Sequence, residues 1–547
     1  MKYDAGVDVR PNTVLHADVC IIGTGAAGLT LAHEFVQTSA RVIVLESSRI
    51  NVRQPALPHN VSLELRGPGV PNPAHHRYED PIVQQICTGV LKTAPEDEHD
   101  FFASSRIRCY GGTTNCWGGW TTPLTRTDLT RPSEFAWPDV VAADLLDTQD
   151  PAKKYFKRAM GYCSIGSPTL PDYDWDVDKY GDASYWTKEN RADYTIEVMK
   201  LKEKSELQTS VILQIENANI REIDGRLDFQ HVWGPDIEAS PNITIYRNAN
   251  VRKFETTPDG KSVTGVWATA ITSDASDTVD GRVTHDFYVN ARRYVLAAGA
   301  VENARLLLNS PDIACNAPPA LGKAFFTHPL IFEAAEFTST AKVSTAIRQY
   351  YTQFTRIGRT NHPPNILAVL EPTPASLTAR QMANFRAWMQ FPEKPGRGTV
   401  NFLWEQTPSR DNDSNVGLSS TVKDPILFDP VAEVNLKLAQ LDIEMRDMAL
   451  KLVGSELEDK DAGYIEKGSF KLILNPPTIL SGQHALGTTR MAAKDKWAVV
   501  NPDSRLLSVD NLYLAGGSVF SRGGWANPTL TIIALTVRLA DHLKKLN

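Results

Sequence analysis

The feature that most constrains the fold of this chain is a glycine-rich turn near its N-terminus. Residues 17–23 form an apolar run typical of a buried strand, and residues 29–35 have the character of a helix. Between them lies the turn Gly23-Thr24-Gly25-Ala26-Ala27-Gly28. This order of strand, turn and helix predicts the first unit of an α/β domain that binds a dinucleotide at the turn.

Each position of the turn has its own mechanical reason. Gly23 permits the tight turn, Gly25 lets a pyrophosphate approach the backbone, and Gly28 lets the helix pack closely on the strand. Ala26 and Ala27 open the helix, where unpaired N–H groups and a partial positive charge face the phosphates. The turn therefore predicts a dinucleotide site, although a glycine turn without any ligand is the simpler alternative.

A carboxylate completes this pattern. A second β-rich run, residues 40–45, ends at Glu46. An acid at the end of the second strand is placed to accept hydrogen bonds from the ribose hydroxyls of an adenosine. The motif does not by itself distinguish NAD from FAD.

Length, charge and cysteine usage narrow the class of protein. A chain of 547 residues is long enough for two or three domains. Its net charge of −7 and its lack of a basic run argue against a nucleic-acid partner. Six scattered cysteines without a Cys-x-x-Cys pair predict neither a disulfide framework nor a metal site.

The expected location follows from two further observations. The N-terminus lacks the basic-then-apolar pattern of a secretory signal. No uninterrupted apolar stretch reaches the roughly 18 residues that a membrane span requires. We therefore expect a cytoplasmic protein with no membrane partner.

The C-terminal region carries the most specific pattern in the chain. Its five pieces, in order, are residues 484–491, 499–505, 511–520, 527–532 and an apolar helix that runs through Leu543. Together they resemble the C-terminal block of the glucose–methanol–choline oxidoreductases. Residues 294–307 and 322–329 resemble two internal elements of the same family. The resemblance implies that the dinucleotide is FAD.

Within that family the chain is most similar to the pyranose 2-oxidases and their bacterial relatives. The similarity lies in residues 500–505, in the pair Gly516-Gly517 and in residues 526–531. Many other members have an aspartate in place of Gly516, and the glucose oxidase type has a second histidine in place of Asn527. This branch implies oxidation of an alcohol group on a sugar or glycoside.

The resemblance implies a catalytic pair, His484 and Asn527. Oxidation of an alcohol by a flavin passes the hydroxyl proton to a base and a hydride to flavin N5, and a histidine has a suitable pKa for that base. His484 would take the proton while Asn527 holds the same oxygen. O2, a quinone or a protein would reoxidise the flavin. A dehydrogenase of a non-sugar alcohol and a non-redox lyase are the alternatives.

A second glycine-rich segment, residues 110–123, resembles the family segment that runs beneath the flavin ring. Cys116 stands where the pyranose 2-oxidases carry the histidine that is bonded covalently to the flavin, so a histidyl link is excluded at that position. Non-covalent FAD is favoured over a thioether at Cys116, because free cysteine is commonly a buried apolar side chain. Gly118 replaces a family threonine, which leaves reactivity with O2 open.

The resemblance also assigns the remaining contacts. The expected FAD ligands beyond the first turn are Gly111, Gly112, Thr113, Asn115, Cys116, Trp117, Val251, Ala298, Gly299, Gly516, Gly517, Asn527, Pro528 and Thr529. Gln406 and Trp525 are candidates for contacting the substrate, since Trp525 lies two residues from Asn527 and aromatic faces pack well on sugars. The alternatives are an ordinary strand residue and a core tryptophan.

The expected architecture is α/β, or α+β overall, with two domains. A Rossmann-like FAD domain is assembled from residues 1–128, 215–330 and 478–547. Residues 129–214 and 331–477 form an antiparallel-sheet substrate domain roofed by helices. An oligomer is possible.

Overall fold

The computed structural model describes most of the chain and shows a mixed α/β fold, as predicted. The described residues are 1–47, 89–93, 108–115, 117–163, 201, 205–214, 229–272, 283–351, 365–392, 394–406, 408, 414–424, 427–458, 464–473, 479–481, 483–493 and 495–546. Within them the strands form three sheets, of eight, seven and three strands.

The strands in chain order are β1 (Lys2–Asp4), β2 (Val14–Ile22), β3 (Val42–Leu45), β4 (Gly89–Thr93), β5 (Trp120–Thr121), β6 (Leu207–Gln214), β7 (Ile243–Arg247), β8 (Ala249–Thr256), β9 (Val263–Thr272), β10 (Val283–Leu296), β11 (Leu330–Thr338), β12 (Asn365–Pro372), β13 (Phe385–Gln390), β14 (Arg397–Trp404), β15 (Asn415–Lys423), β16 (Pro430–Asn435), β17 (Lys471–Leu472) and β18 (Leu512–Leu514). The helices are α1 (Ala5–Asp8), α2 (Ala26–Glu34), α3 (Arg126–Thr130), α4 (Asp139–Leu146), α5 (Tyr155–Tyr162), α6 (Phe229–Ala239), α7 (Ala300–Leu308), α8 (Pro311–Ala314), α9 (Thr345–Tyr351), α10 (Pro374–Arg380), α11 (Gln440–Leu457) and α12 (Thr529–Leu546).

The first sheet has the order β1-β7-β3-β2-β10-β9-β8, and β18 pairs with β10. The neighbours in the row β1, β7, β3, β2 and β10 pair in parallel, and β18 is parallel to β10. By contrast, β9 is antiparallel to β10, and β8 is antiparallel to β9. All four residues of β3 are buried, as parallel strands covered on both faces require. Strands from the two ends of the chain thus meet in one sheet.

The second sheet has the order β17-β11-β14-β13-β12-β6-β5, and all its pairs are antiparallel. The third sheet joins β15 and β4 to either side of β16. The exact domain boundaries stay a prediction. Among the described helices, none is both long and apolar enough to cross a membrane.

The glycine turn packs between β2, α2 and the end of β10. Gly23 has φ of +98°, and a Cβ there would lie 2.7 Å from the carbonyl oxygen of Ala297. A Cβ on Gly28 would overlap the carbonyl oxygen of Gly23. Gly25, with φ of −66°, begins α2 without a side-chain cap, and no atom lies within 4 Å of the place where its Cβ would be. Two of the glycines are therefore needed for packing, and the third borders open space.

A pair of alanine substitutions tests this division. Gly28→Ala should lower the free energy of unfolding by about 1–3 kcal/mol, because the added methyl overfills a packed backbone contact. Gly25→Ala should change it by no more than about 0.5 kcal/mol in protein freed of any dinucleotide, since the methyl then enters open space at an ordinary φ. Thermal melting of both variants beside the parent provides the measurement. Equal losses would contradict the assignment.

Candidate active site

The second glycine segment lies directly against the first turn. A Cβ on Gly112 would lie 2.9 Å from the Cα of Gly25, and the N–H of Gly111 donates to Oγ1 of Thr24 at 3.2 Å. Thr24 in turn donates from both its hydroxyl and its backbone N–H to Oε2 of Glu46. These contacts join the turn, the predicted ribose-binding acid and the predicted flavin-facing segment in one place.

At the predicted adenosine end of the site, a backbone hydrogen bond joins the end of β3 to the start of β8. The N–H of Ala249 donates to the carbonyl oxygen of Glu46 at 2.9 Å, which sets the start of β8 beside the end of β3. Val251, two residues further along β8, is buried. Glu46 and Val251 are therefore neighbours, as an adenosine-binding role requires.

Asn303 joins the segment that contains Gly299 to the segment that contains Gly516 and Gly517. Its Oδ1 accepts from the N–H of Ala298 at 2.9 Å, and its Nδ2 donates to the Ala515 carbonyl and to Oγ of Ser518. As at Gly25, no atom lies within 4 Å of where a Cβ would be at Gly299 or Gly516. The backbone is thus open at Gly25, Gly299 and Gly516, while the residues around them pack closely. These three positions are called the cradle below, and a dinucleotide has the chemistry to fill it.

Most of the remaining predicted FAD ligands lie in short turns or at the start of helices. Gly112, Thr113 and Asn115 lie in a single 3-10 turn, and Trp117 is half-buried with its ring edge towards Phe229. Cys116 lies outside the described residues. Ala26 and Ala27 open α2. Gly517 begins a short 3-10 turn, Pro528 precedes α12, and Thr529 is its first residue.

The predicted catalytic pair is brought together. Nδ2 of Asn527 lies 3.3 Å from Nε2 of His484, although the two residues are far apart in sequence. His484 lies between Leu480 and Leu486, which form isolated bridges with Leu330 and Phe326. Asn527 immediately precedes Pro528 and α12. Both are placed where one hydroxyl oxygen can contact them together.

An arginine that sequence reasoning missed orients Asn527. Nη1 of Arg386, on β13, donates to Oδ1 of Asn527 at 2.7 Å. Because a guanidinium only donates, this bond assigns the oxygen of the amide to the arginine side and its NH2 group to the His484 side. Nε2 of His484 is then the acceptor in its contact with Asn527.

A second histidine sets the tautomer of the first. Nδ1 of His328 lies 2.8 Å from Nδ1 of His484. With Nε2 of neutral His484 as acceptor, its hydrogen must lie on Nδ1 and be donated to His328. Arg386, Asn527, His484 and His328 thus form one directed hydrogen-bond chain, in which Nε2 of His484 is unprotonated and accepts from Asn527.

The electrostatics keep both imidazoles neutral. Burial, with the nearby charge of Arg386, lowers the pKa of His328 to about 4. Burial first, and then the effects of His328 and Arg386, hold the pKa of His484 well below its ordinary value of 6.5. A neutral His484 is able to accept a proton at physiological pH.

A buried ion network supports the loop that carries Asn527. Oε1 and Oε2 of Glu405 accept from Nε and Nη2 of Arg522 at 2.9 and 2.7 Å, and Glu405 also accepts from the N–H of Gly524 and from Nη2 of Arg131. Burial alone would raise the pKa of Glu405, but Arg522 and Arg131 outweigh it and bring the pKa to about 2. The carboxylate therefore fixes this loop against β14.

The same loop packs on His328. A Cβ on Gly523 would lie 2.6 Å from Nε2 of His328, and one on Gly524 would lie 2.5 Å from the carboxyl carbon of Asp128. Asp128 accepts from Nδ2 of Asn384 at 2.7 Å. The glycines let the loop lie flat between the second histidine and the ion network.

The two predicted substrate contacts are not supported by this geometry. Gln406 is fully buried. Its Oε1 accepts from the N–H of Thr327 at 3.0 Å, and its Nε2 donates to the Lys437 carbonyl at 2.7 Å. Because both ends of the amide serve backbone groups, Gln406 joins two segments and offers nothing to a sugar hydroxyl.

Trp525 is likewise buried and bonded to another residue of the protein. It is 1% exposed, and its Nε1 donates to Oε2 of Glu371. Burial is the largest cause that raises the pKa of Glu371 to about 7. In this structure the core interpretation of Trp525 therefore fits better than substrate contact.

The residues that sequence reasoning missed differ in the signal they gave. His328 lies in residues 322–329 and Asn303 in residues 294–307, the two internal segments that resemble the family. Neither residue was assigned a role from the sequence. Arg386 gave no signal, since it lies in a region where the family resemblance is weak. Only the fold places it beside His484.

The sequence comparisons identify the family. Residues 411–536 match the model of the GMC oxidoreductases, the glucose–methanol–choline family that the motifs resemble. The chain is also similar to the large subunit of fructose dehydrogenase from Gluconobacter japonicus, with 23% identity over 97% of this chain and 98% of that one. The C-terminal part of the chain is thus that of a GMC oxidoreductase.

Two further similarities concern a glycoside oxidase and a formate oxidase. C-glycoside 3-oxidase from Arthrobacter globiformis is 32% identical over 139 residues, which is 24% of each chain. The solved structure of a formate oxidase variant from Aspergillus oryzae matches with a TM-score of 0.57 at 13% identity, over 98% of this chain and 99% of that one. At such identity the structural match establishes the fold alone.

The comparisons confirm the predicted enzyme class, an oxidoreductase. GMC oxidoreductases bind FAD and act on CH–OH groups. The nearest branch, the domain boundaries and the roles of individual site residues stay predictions.

Neutralising Glu405 tests the buried ion network. Glu405→Gln should lower the free energy of unfolding at pH 7 by about 3–5 kcal/mol, because it leaves buried arginines without a counter-charge. The folded-state pKa of about 2 is below the ordinary 4.5. The stabilisation is therefore complete above the ordinary value and is lost as the pH falls from about 5 towards 2.

Melting temperatures of parent and variant, measured between pH 7 and pH 3, should therefore converge on acidification. Glu336→Gln is the matched control, since Glu336 pairs with the exposed Arg397 at 3.0 Å and such surface pairs contribute little. A difference between parent and Glu405→Gln that stays constant with pH would contradict the network's role.

Proposed function

We propose that this enzyme oxidises an alcohol group on a sugar or glycoside to a carbonyl, with FAD as cofactor and His484 as the base. The observation that carries the proposal is the directed chain through Arg386, Asn527, His484 and His328, which keeps Nε2 of His484 unprotonated beside the amide of Asn527. The names of fructose dehydrogenase and C-glycoside 3-oxidase support a sugar or glycoside as substrate.

The cradle fits FAD. Gly25 and the first N–H groups of α2 would hold the pyrophosphate, Glu46 the ribose hydroxyls and the Val251 backbone the adenine. Gly299 and Gly516 border the same opening. When bound, FAD supplies the acceptor for the hydride that leaves the alcohol carbon. We propose that it is held without a covalent bond.

The residues of the chain manage the proton. As the C–H and O–H bonds of the alcohol break and the carbonyl forms, Nε2 of His484 accepts the hydroxyl proton. Nδ2 of Asn527 holds the same oxygen, so that the reacting carbon keeps its orientation. His328 accepts from Nδ1 of His484 and prevents the ring from turning. Arg386 prevents the amide of Asn527 from flipping.

The electron acceptor has two candidates. O2 would make the protein an oxidase, and a quinone or a partner protein would make it a dehydrogenase. The similarity to fructose dehydrogenase over nearly the whole chain favours the second candidate. Similarity to the pyranose 2-oxidase branch, predicted from the motifs, favours the first.

The function is tested by flavin reduction without oxygen. The purified protein, mixed with a panel of sugars, glycosides and simple alcohols, should lose its oxidised-flavin absorbance with at least one of them. His484→Ala should slow this reduction by about 10²–10⁴-fold, and His16→Ala, an exposed histidine on β2, is the control. Denaturation by acid should release the flavin from the protein.

The pH dependence of reduction has a defined sign. Because the pKa of His484 lies well below 6.5, the base is already neutral at pH 6.5. The reduction rate should therefore be flat from pH 8 down to about 6.5 and should fall only as the pH drops through the lowered value. Parent-like reduction by His484→Ala would rule out His484 as the base.

The positioning role of His328 is tested by a conservative pair. His328→Phe removes the acceptor for Nδ1 of His484 and should slow reduction by about 10–100-fold, because His484 loses its fixed tautomer. His328→Gln restores an acceptor oxygen and should recover part of that rate. A purely structural role would instead make both rates follow the melting temperatures of the two variants.

A further inference from the structure

Arg386 is a buried cation beside the proposed base. It is 8% exposed, and its guanidinium lies over the rings of Trp388 and Trp525, at 5.4 and 5.7 Å from their centroids. Burial lowers its pKa to about 9. The side chain therefore still carries a positive charge at neutral pH.

The described part of the chain supplies no carboxylate to balance this charge. The one hydrogen bond of Arg386 there goes from Nη1 to the neutral amide of Asn527, and its Nε is buried with no partner. Arg522, by contrast, is paired with both oxygens of Glu405. Burying an unbalanced charge is costly, so the position of Arg386 calls for a ligand.

Burial without a counter-charge is not by itself a site, as Arg490 shows. Arg490 is 2% exposed, donates to the Ala324 carbonyl and lies over the rings of Phe135 and Phe326. What distinguishes Arg386 is its neighbours. It bonds the amide of Asn527, and its charge acts on both His328 and His484.

The free edge of Arg386 has a specific chemistry. Nη1 is occupied by Asn527, which leaves the edge formed by Nε and Nη2. That edge presents two parallel N–H groups, the arrangement that pairs with the two oxygens of a carboxylate. A neutral hydroxyl would satisfy one donor and leave the charge unbalanced.

We propose that Arg386 binds a carboxylate of the substrate, so that the site takes a sugar acid or related hydroxy acid. The carboxylate lies on the guanidinium while the reacting hydroxyl lies between His484 and Asn527, and one amide side chain separates the two positions. This inference rests on the proposed function, because the catalytic pair defines where the hydroxyl lies.

The charge balance gives the arrangement a consequence. Arg386 lowers the pKa of His484, and a bound carboxylate offsets that effect. His484 becomes a stronger base when an acidic substrate is present than when the site holds a neutral alcohol. Recognition of the acid and activation of the base are thus coupled through one guanidinium.

The test measures binding to the oxidised holoenzyme through changes in the flavin absorbance spectrum. Acetate is compared with acetamide, and D-glucuronate with D-glucose, because each pair differs at the carboxylate. Both carboxylates should bind the parent at least tenfold more tightly than their neutral partners. Arg386→Met should abolish this preference, and Arg386→Lys should keep part of it.

Arg490→Met is the matched control and should keep the parent's preference. Equal binding of acetate and acetamide by the parent would overturn the proposal without any variant, so a variant that fails to fold does not protect it. A preference that survives in Arg386→Met would also overturn it. A negatively charged flavin is the other anion that Arg386 could balance, and sulfite binding to the flavin tests it. If Arg386→Met weakens sulfite binding but leaves the carboxylate preference unchanged, the guanidinium serves the cofactor and the proposal is wrong.

Failure of the inference is distinguishable from failure of the proposed function. His484→Ala should keep the carboxylate preference while losing flavin reduction. If neutral sugars reduce the flavin and acetate does not bind, the function stands and the carboxylate site is wrong. If acetate binds through Arg386 and no alcohol or hydroxy acid reduces the flavin, the carboxylate site stands and the function is wrong.

Discussion

The geometry of the site depends on one buried carboxylate, Glu405. It balances Arg522 and Arg131 and also accepts from the backbone of Gly524. These partners come from the helix α3 region and from the loop before α12, and Glu405 itself follows β14. A charge buried in this way is stable only while its partners stay in place, so the loop that leads to Asn527 has little freedom to move.

That rigidity passes to the reacting groups. The loop lies flat on His328 at Gly523, and it ends at Asn527, whose amide is oriented by Arg386. His484 is therefore contacted at each ring nitrogen by a group that is itself fixed. A base held in one tautomer and one orientation loses little entropy when a substrate hydroxyl arrives, which is how positioning lowers a reaction barrier. The same chain explains why Arg386 matters at two levels, as the support of Asn527 and as the cation that a substrate carboxylate would balance.

The sequence was informative where the backbone itself makes the contact. Gly23, Gly25 and Gly28 were predicted from local spacing, and the structure shows close packing at two of them and open space at the third. His484 and Asn527 were predicted from motifs and do meet. Gln406 was predicted as a substrate contact, and strand position alone does not reveal that both ends of its amide bond to the backbone of distant segments. Trp525 was given two interpretations, and its burial decides for the core.

The sequence by itself determined the α/β class and the glycine turn, and it predicted the base and its asparagine partner, because these features are written in short segments whose residues act together locally. Only the tertiary structure decided what surrounds the base. Arg386 and His328 are distant in sequence from His484. No sequence pattern marks Arg386, and the pattern around His328 assigns it no role. Their charge, tautomer and hydrogen-bond direction arise from burial and from packing between segments, which exist only once the two sheets have come together.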